Sequence, residues 1–214
     1  MCILKLENIT KKYGKKIVLD NFCMEVDSGD FIAITGPSGS GKSTILNIIG
    51  LIESFNSGTY KIFDSINPKI DSTECVKMLR NKISYLFQNF ALINDESVYY
   101  NLEIALHFSK YSKDKKKQLI SEALENVGLS GVERKKVFQL SGGEQQRVAL
   151  ARIMLKPSEI ILADEPTGSL DRSNRDNIMS ILSELNEKGK TVIVVTHDPN
   201  VVKCAKKTIY LDKK

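Results

Sequence analysis

An α/β fold with a parallel sheet is the expectation for this 214-residue chain, and three observations carry it. The apolar run FIAIT at 31–35 leads into a glycine-rich stretch and then into STILNIIGLIE, which has helical spacing, so the chain reads strand, loop, helix. Similar short apolar runs recur at 83–87, 160–163 and 192–195, each ending in a loop with polar residues. Such runs are what a sheet buried on both faces requires, and the loops at the carboxyl ends of its strands are where chemistry collects. Taken from the N-terminus, residues 3–9 and 17–26 alternate like strands and cluster before Gly29, which predicts a small antiparallel sheet. From Asn89 to about Lys156 no strand is legible. YYNLEIALHF and KKKQLISEALENVGL there have helical spacing, and Gly128 ends the second as a C-terminal cap, so this third of the chain predicts a helical lobe inserted in the α/β core.

Composition removes several function classes. With 27% charged and 42% hydrophobic residues the chain is neither a disordered tail nor a membrane span, and its longest apolar stretch, 45–52, is interrupted by Asn47. The N-terminal MCILKLENIT is too quickly charged for a secretory signal. Cys2, Cys23, Cys75 and Cys204 form no CxxC pair and no zinc-like spacing, which fits reduced thiols in the cytoplasm. A net charge of +5 is mild, and the basic runs at 113–117, 135–136 and 203–207 read as solvated faces; no nucleic-acid partner is expected.

The strongest motif is GPSGSGKST, Gly36 to Thr44, a G-x-x-x-x-G-K-[ST] loop between a buried strand and a helix. Glycines 36, 39 and 41 let the backbone wrap a polyphosphate and point its N–H groups and the helix N-terminus at the charge. Lys42 is placed to reach the β- and γ-phosphates, and Ser43 to give a hydroxyl to Mg²⁺. A second buried strand, EIILADEP, ends in Asp164 and Glu165. Asp164 suits a hard cation held through carboxylate and water, leaving Glu165 to polarise a water for attack on the γ-phosphate. A third strand, TVIVVTHDP, delivers His197 to the same end as a donor to developing charge, whereas His107 in the helical lobe reads as structural.

At 140–154 the chain reads LSGGEQQRVALARIM, which resembles the signature of ATP-binding-cassette ATPases. The resemblance covers essentially the whole chain and orders the other pieces. Tyr13 resembles the aromatic that stacks on adenine, Gln88 in YLFQN the Q-loop glutamine that approaches the metal, 160–165 the Walker B strand, and His197 the switch histidine. SLD at 169–171 resembles the D-loop; it reads GSLD where many members have SALD, with Asp171 in place. What the resemblance implies is one ABC ATPase domain over 1–214, built on a P-loop NTPase core with an N-terminal antiparallel β subdomain and a helical subdomain inserted at about 89–156. It further implies ATP and Mg²⁺ as cofactors. Glu165, His197 and Gln88 are then catalytic, and Ser43, Gln88 and Asp164 attend the metal. Nucleotide is held by Tyr13, by Gly36, Pro37, Ser38, Gly39, Ser40, Gly41, Lys42, Ser43 and Thr44, and by Ser141, Gly142, Gly143, Gln145 and Asp171. The signature residues open a helix and form a second anion-binding end. The family's arrangement is a head-to-tail homodimer in which the Walker A loop of one subunit and the signature of the other sandwich each ATP.

Absence of a coiled-coil insert or a second cassette sets the chain apart from repair and translation ATPases and leaves a cassette that docks on a separate transmembrane permease, peripheral to the inner face of the cell membrane. LFQNFALINDESVYYNLEIAL resembles the macrolide-export and lipoprotein-release group, and the NDESVYYNLEIAL form its bacteriocin-export branch, of the lactococcin 972 type. Tyr99 and Tyr100 fit either a groove for a coupling helix of the permease or ordinary packing in the lobe. The alternative from another class is a soluble cassette acting on nucleic acid or ribosomes.

Overall fold

A computed structural model describes residues 1–168 and 171–212. The chain opens with a long hairpin, β1 (Cys2–Tyr13) and β2 (Lys16–Asp27), turning through Gly14 and Lys15, with Gly14 at φ 59° as such a two-residue turn demands. Both strands outrun the expected 3–9 and 17–26. Asn8 and Asn21 sit at positive φ where the register shifts, and these bulges break the alternation by which strand ends are read. Two further strands extend this sheet, β4 (Ser57–Ile62) and β5 (Ser65–Ile66), in the order β2-β1-β4-β5. The bulge explains Gly58, since a Cβ there would stand 2.6 Å from the Asn8 carbonyl oxygen.

The parallel sheet contains the four expected strands, β3 (Phe31–Thr35), β6 (Ile83–Leu86), β7 (Ile160–Asp164) and β8 (Thr191–Val195), and a fifth that was not expected, β9 (Lys207–Tyr210), which begins at the end of a basic run read as a solvated face; the order is β6-β7-β8-β3-β9. The helices are α1 (Lys42–Ile49), α2 (Thr73–Asn81), α3 (Val98–Glu103, continued by a 3₁₀ turn), α4 (Lys113–Asn126), α5 (Gly142–Met154), α6 (Arg172–Glu187) and α7 (Pro199–Cys204). Helix α1 stops short of the periodic run 43–53. At its end Gly50 meets Leu162 and Tyr85 so closely that a Cβ would lie 3.1 Å from each, and Leu51 then turns at φ 56°. Gly128, at φ 68°, follows α4, with its amide bonded to the Glu125 carbonyl and that of Leu129 to Leu124. Among the described residues no helix is long and apolar enough to cross a membrane.

Period-two alternation divides the core. Ile160, Leu162, Ile193 and Val195 point toward the antiparallel sheet and α1, while Ile161, Ala163, Val192 and Val194 point toward α3 to α6. Residues 89–156 therefore share a core with the parallel sheet, through Val98, Leu102, Leu124 and Val148. The same division puts α1 and α5 on opposite faces of that sheet.

Candidate nucleotide site

The loop between β3 and α1 is held open by glycine. Gly36, Gly39 and Gly41 have φ of 142°, 79° and 95°, and a Cβ on Gly36 would lie 2.2 Å from the Leu211 carbonyl oxygen. Helix α1 starts on Gly41 without a side-chain cap and without an acidic residue in its first turn. The Ser40 hydroxyl inside the loop is buried and has no hydrogen-bond partner. Uncapped amides, an orphaned hydroxyl and a lysine side chain make a cradle whose chemistry fits a polyphosphate. Lys42 donates to the carbonyl oxygens of Gly36 and Pro37, each at 2.9 Å.

Three strand ends meet beside this loop. The Ser43 hydroxyl donates to Asp164 Oδ1 at 3.1 Å, tying α1 to β7. Burial pushes the Asp164 carboxyl above its ordinary value and nearby Glu165 adds to this, against the Ser43 hydrogen bond and Lys42. Oxygen donors and a half-buried carboxylate suit a hard cation such as Mg²⁺. No group of three or more His, Cys, Asp or Glu capable of holding a metal exists among the described residues. Glu165 sits at φ 47°, a conformation disfavoured for a residue with a Cβ, and its amide donates to the Val195 carbonyl at 2.9 Å. This bend carries its carboxylate to His197, with Nδ1 2.8 Å from Oε2. Glu165 is largely covered, whereas the His197 ring is mostly exposed. Gln88 is exposed in the turn after β6; Leu86 pairs with Ala163, so that turn leaves the sheet beside the acidic pair.

Tyr13, half exposed at the tip of the first hairpin, hydrogen-bonds Glu53 and Thr44 through its hydroxyl. Burial, and then Glu53, raise its pKa. Val18 and Leu19 of the same hairpin close on Gly41, where a Cβ would stand 2.9 Å from Val18.

The signature is built differently. Ser141 caps α5 and Glu144 answers it: Ser141 N–H donates to Glu144 Oε2 at 2.7 Å, Ser141 Oγ donates to it at 2.8 Å, and Glu144 N–H donates to Ser141 Oγ at 3.3 Å. These bonds hold the Glu144 carboxyl below its ordinary value. Gln145 turns its amide N–H groups onto the carbonyls of Leu140, at 3.0 Å, and Val137, at 3.3 Å. Gly143 faces Asn174 of α6, where a Cβ would lie 3.0 Å from Nδ2, and Asn174 donates to Asp171 at 2.7 Å. Asp171 caps α6; Ser169 and Leu170 of the D-loop segment lie outside the described residues. One chain therefore brings together Ser43, Asp164, Glu165 and His197, and leaves Ser141, Gly142 and Gly143 on the other face of the sheet.

Sequence reasoning missed three features. Gln146, buried, donates to the Pro166 carbonyl beside the acidic pair, and Arg147 donates to Asn174, so α5 is locked to the segment after β7. Arg152, near the other end of α5, holds the strained turn after Gln88 through the carbonyls of Ala91 and Phe90, at 2.6 and 2.8 Å. A groove of about 1,210 Å³ also opens between the parallel sheet and α2 to α5. Its apolar rim is Ile52, Val76, Phe87, Ile104, Phe108 and Tyr111, and its charged groups are all cations, Arg80, Lys110, Arg152 and Lys156. Burial, with Arg152 nearby, pushes the Lys156 pKa down to about 8. Tyr99 and Tyr100 do not line it: Tyr99 packs against the core and its amide donates to the Glu133 carbonyl. No signal in the sequence separated this pair of aromatics from Phe108 and Tyr111.

Comparison with known proteins agrees with this geometry. A model of the ABC transporter family matches residues 19–168. YvrO of Bacillus subtilis, an uncharacterized ABC transporter ATP-binding protein, is 42% identical over 98% of this chain and 93% of its own length. MacB of Escherichia coli, a macrolide export ATP-binding/permease protein, is 38% identical over 98% of this chain, which spans 33% of MacB. The cassette MJ0796 of Methanocaldococcus jannaschii, in a dimeric post-hydrolysis state bound to ADP and Pi, superposes with a TM-score of 0.90 at 40% identity over 99% of this chain and 96% of that one.

Proposed function

The chain belongs to the ABC transporter family as an ATPase cassette, and from that premise we propose that it drives an exporter of peptides, lipoproteins or macrolide-like compounds through a transmembrane permease. The observation that carries the ATP-hydrolysing part of this reading is the convergence of the Ser43–Asp164 contact and the Glu165–His197 pair beside an uncapped helix N-terminus. On ATP binding, Lys42 exchanges the Gly36 and Pro37 carbonyls for phosphate oxygens, and the amides at the start of α1 bind the same charge. Ser43, Asp164 and Gln88 would hold Mg²⁺, which when bound would supply charge neutralisation on the transferring phosphate. Glu165 accepts a proton from the attacking water, and its tie to His197 keeps the carboxylate aimed. Tyr13 supplies a ring face for the base.

Since Ser141, Gly142 and Gly143 lie across the sheet from the Walker loop, the second grip on ATP comes from another copy, arranged head to tail. The relative MJ0796 is dimeric in its solved structure, which supports the pairing of two copies. The groove, lined by apolar side chains and by cations, receives a cytoplasmic helix of the permease, and Arg152 connects it to the turn carrying Gln88. The cassette is then peripheral to the inner membrane face. Export is supported by the names of MacB and of SyfD, a probable syringafactin export protein; bacteriocin export is the finer reading. A cassette acting on nucleic acid or ribosomes is not favoured by these relatives.

The test is Glu165→Gln. ATP binding is expected to persist, hydrolysis to fall by roughly 10²–10⁴, and an ATP-bound dimer to accumulate on size exclusion. Hydrolysis at the parent rate would remove Glu165 from its role.

A further inference from the structure

The basic run at 113–117, which the nucleotide site does not use, lies beside the groove rather than on an anonymous face. The turn before α4 carries Phe108 and Tyr111, 62% and 52% exposed, and both line the groove. Directly after them come Lys113, Lys115, Lys116 and Lys117, with Lys110 between the aromatics and Asp114 the only acid in residues 107–117. None of the five lysines makes an ion pair among the described residues. Arg80 extends the positive area by lying over the Phe108 ring at 3.4 Å. The C-terminal basic run is different: Lys207 is paired with Asp30 at 2.7 Å, and Lys206 donates to the Gly29 carbonyl at 3.4 Å.

Lysines without ion pairs, of which Lys115 donates to the Gln118 side-chain oxygen at 3.2 Å, interleaved with exposed aromatic rings are the chemistry of a surface that rests on anionic lipid headgroups, where cations meet the surface potential and rings sit at the interface. We propose that residues 108–117 contact the anionic inner leaflet and orient the groove toward the permease. This rests on the reading of the groove as the permease's docking site, because a groove that receives a membrane protein's cytoplasmic helix turns its rim to the bilayer. The same charge could meet RNA, but the position beside the groove favours lipid.

The test is flotation of the full chain with phosphatidylcholine vesicles, with and without phosphatidylglycerol, beside RNA-oligonucleotide binding and ATP hydrolysis on the same preparations. The expected result is flotation with anionic vesicles alone, weakened by salt. A lysine near such a surface contributes about fivefold in partition, so K113Q/K115Q/K116Q/K117Q loses roughly several hundredfold with hydrolysis and thermal unfolding unchanged. Equal flotation with neutral vesicles, flotation of the variant like the parent, or lysine-dependent RNA binding without flotation would each overturn the proposal. Hydrolysis intact without flotation sinks only the lipid contact. An inactive parent that still floats in the expected pattern sinks the nucleotide-site reading and leaves the lipid contact standing.

Discussion

Two helices of this molecule begin in glycine-rich, phosphate-type sequence, and they begin in opposite states. Helix α1 has no side-chain cap, whereas α5 is closed by Ser141 and Glu144 in a reciprocal capping box. The remaining α-helices α2, α3, α4, α6 and α7 also start on a Ser or Asp side chain, so α1 is the exception among the described residues. An uncapped helix start leaves its amides unsatisfied and favours an anion; a capped one must exchange an internal partner for that anion. The difference teaches that, on the proposed function, the two ends would act in sequence. The Walker end would take ATP in a single chain, and the signature end would engage only when a phosphate carried by another copy competes with Glu144.

The largest effects expected from this comparison come from disabling either end. Lys42→Ala should lower hydrolysis by roughly 10²–10³ and weaken ATP binding by the single chain, read by nucleotide fluorescence titration. Gly142→Asp has open space, with no atom within 4 Å of its Cβ position, so it leaves the fold intact while placing a carboxylate where the proposed second grip on phosphate would form. Hydrolysis should fall by a similar roughly 10²–10³ with single-chain ATP affinity unchanged. Equal loss of affinity in both variants would break the distinction between the ends.

Intermediate effects come from the cap itself. Glu144→Gln keeps a hydrogen-bonding side chain at the third position but removes the charge beside the incoming phosphate. ATP-driven dimerisation in a Glu165→Gln background should strengthen about two- to fivefold, measured by analytical ultracentrifugation. Unchanged or weaker dimerisation would mean that Glu144 does not compete.

Smallest is a difference in pH dependence between the two carboxylates. The carboxyl of Asp164 is raised in the folded state, so the folded chain holds its proton more tightly, and the stability this provides disappears as pH rises through the folded value. Asp164→Asn should therefore raise the thermal midpoint at neutral pH by roughly 1–3 °C while hydrolysis is lost. The carboxyl of Glu144 is lowered, so its stabilisation is present above the ordinary carboxylate value and is lost as pH falls through the folded one. Thermal melts from pH 3 to 8 on the parent and both variants would expose a wrong sign in either case.

The parts legible in sequence were those whose chemistry is local. The Walker loop, the strand ending at Asp164 and Glu165, and the helix opened by Ser141, Gly142 and Gly143 each lie within a dozen consecutive residues, and each keeps its neighbours when the chain folds. Strands β4 and β5 escaped because they are short, β4 pairing with β1 across a bulge at Asn8 and β5 pairing with β4, which no local pattern announces. The groove escaped because it is assembled from the end of α1, from α2, β6, the turn before α4 and α5. Tyr99 and Phe108 look alike as letters. The orientation of α3, set by its Ser97 cap and by the bonds of Val98 and Tyr99 to the 133–135 segment, puts Tyr99 against the core and leaves the groove to Phe108.

The central claim is that each ATP is gripped by the Walker end of one chain and the signature end of another. Mixing the inactive variants Lys42→Ala and Gly142→Asp tests it most directly, because a head-to-tail pair of the two contains one site with Lys42 from one chain and an intact signature from its partner. Hydrolysis should reappear in the mixture, rise with total protein concentration and vanish when either variant is assayed alone. A mixture as inactive as its components would contradict the account and return both grips to a single chain.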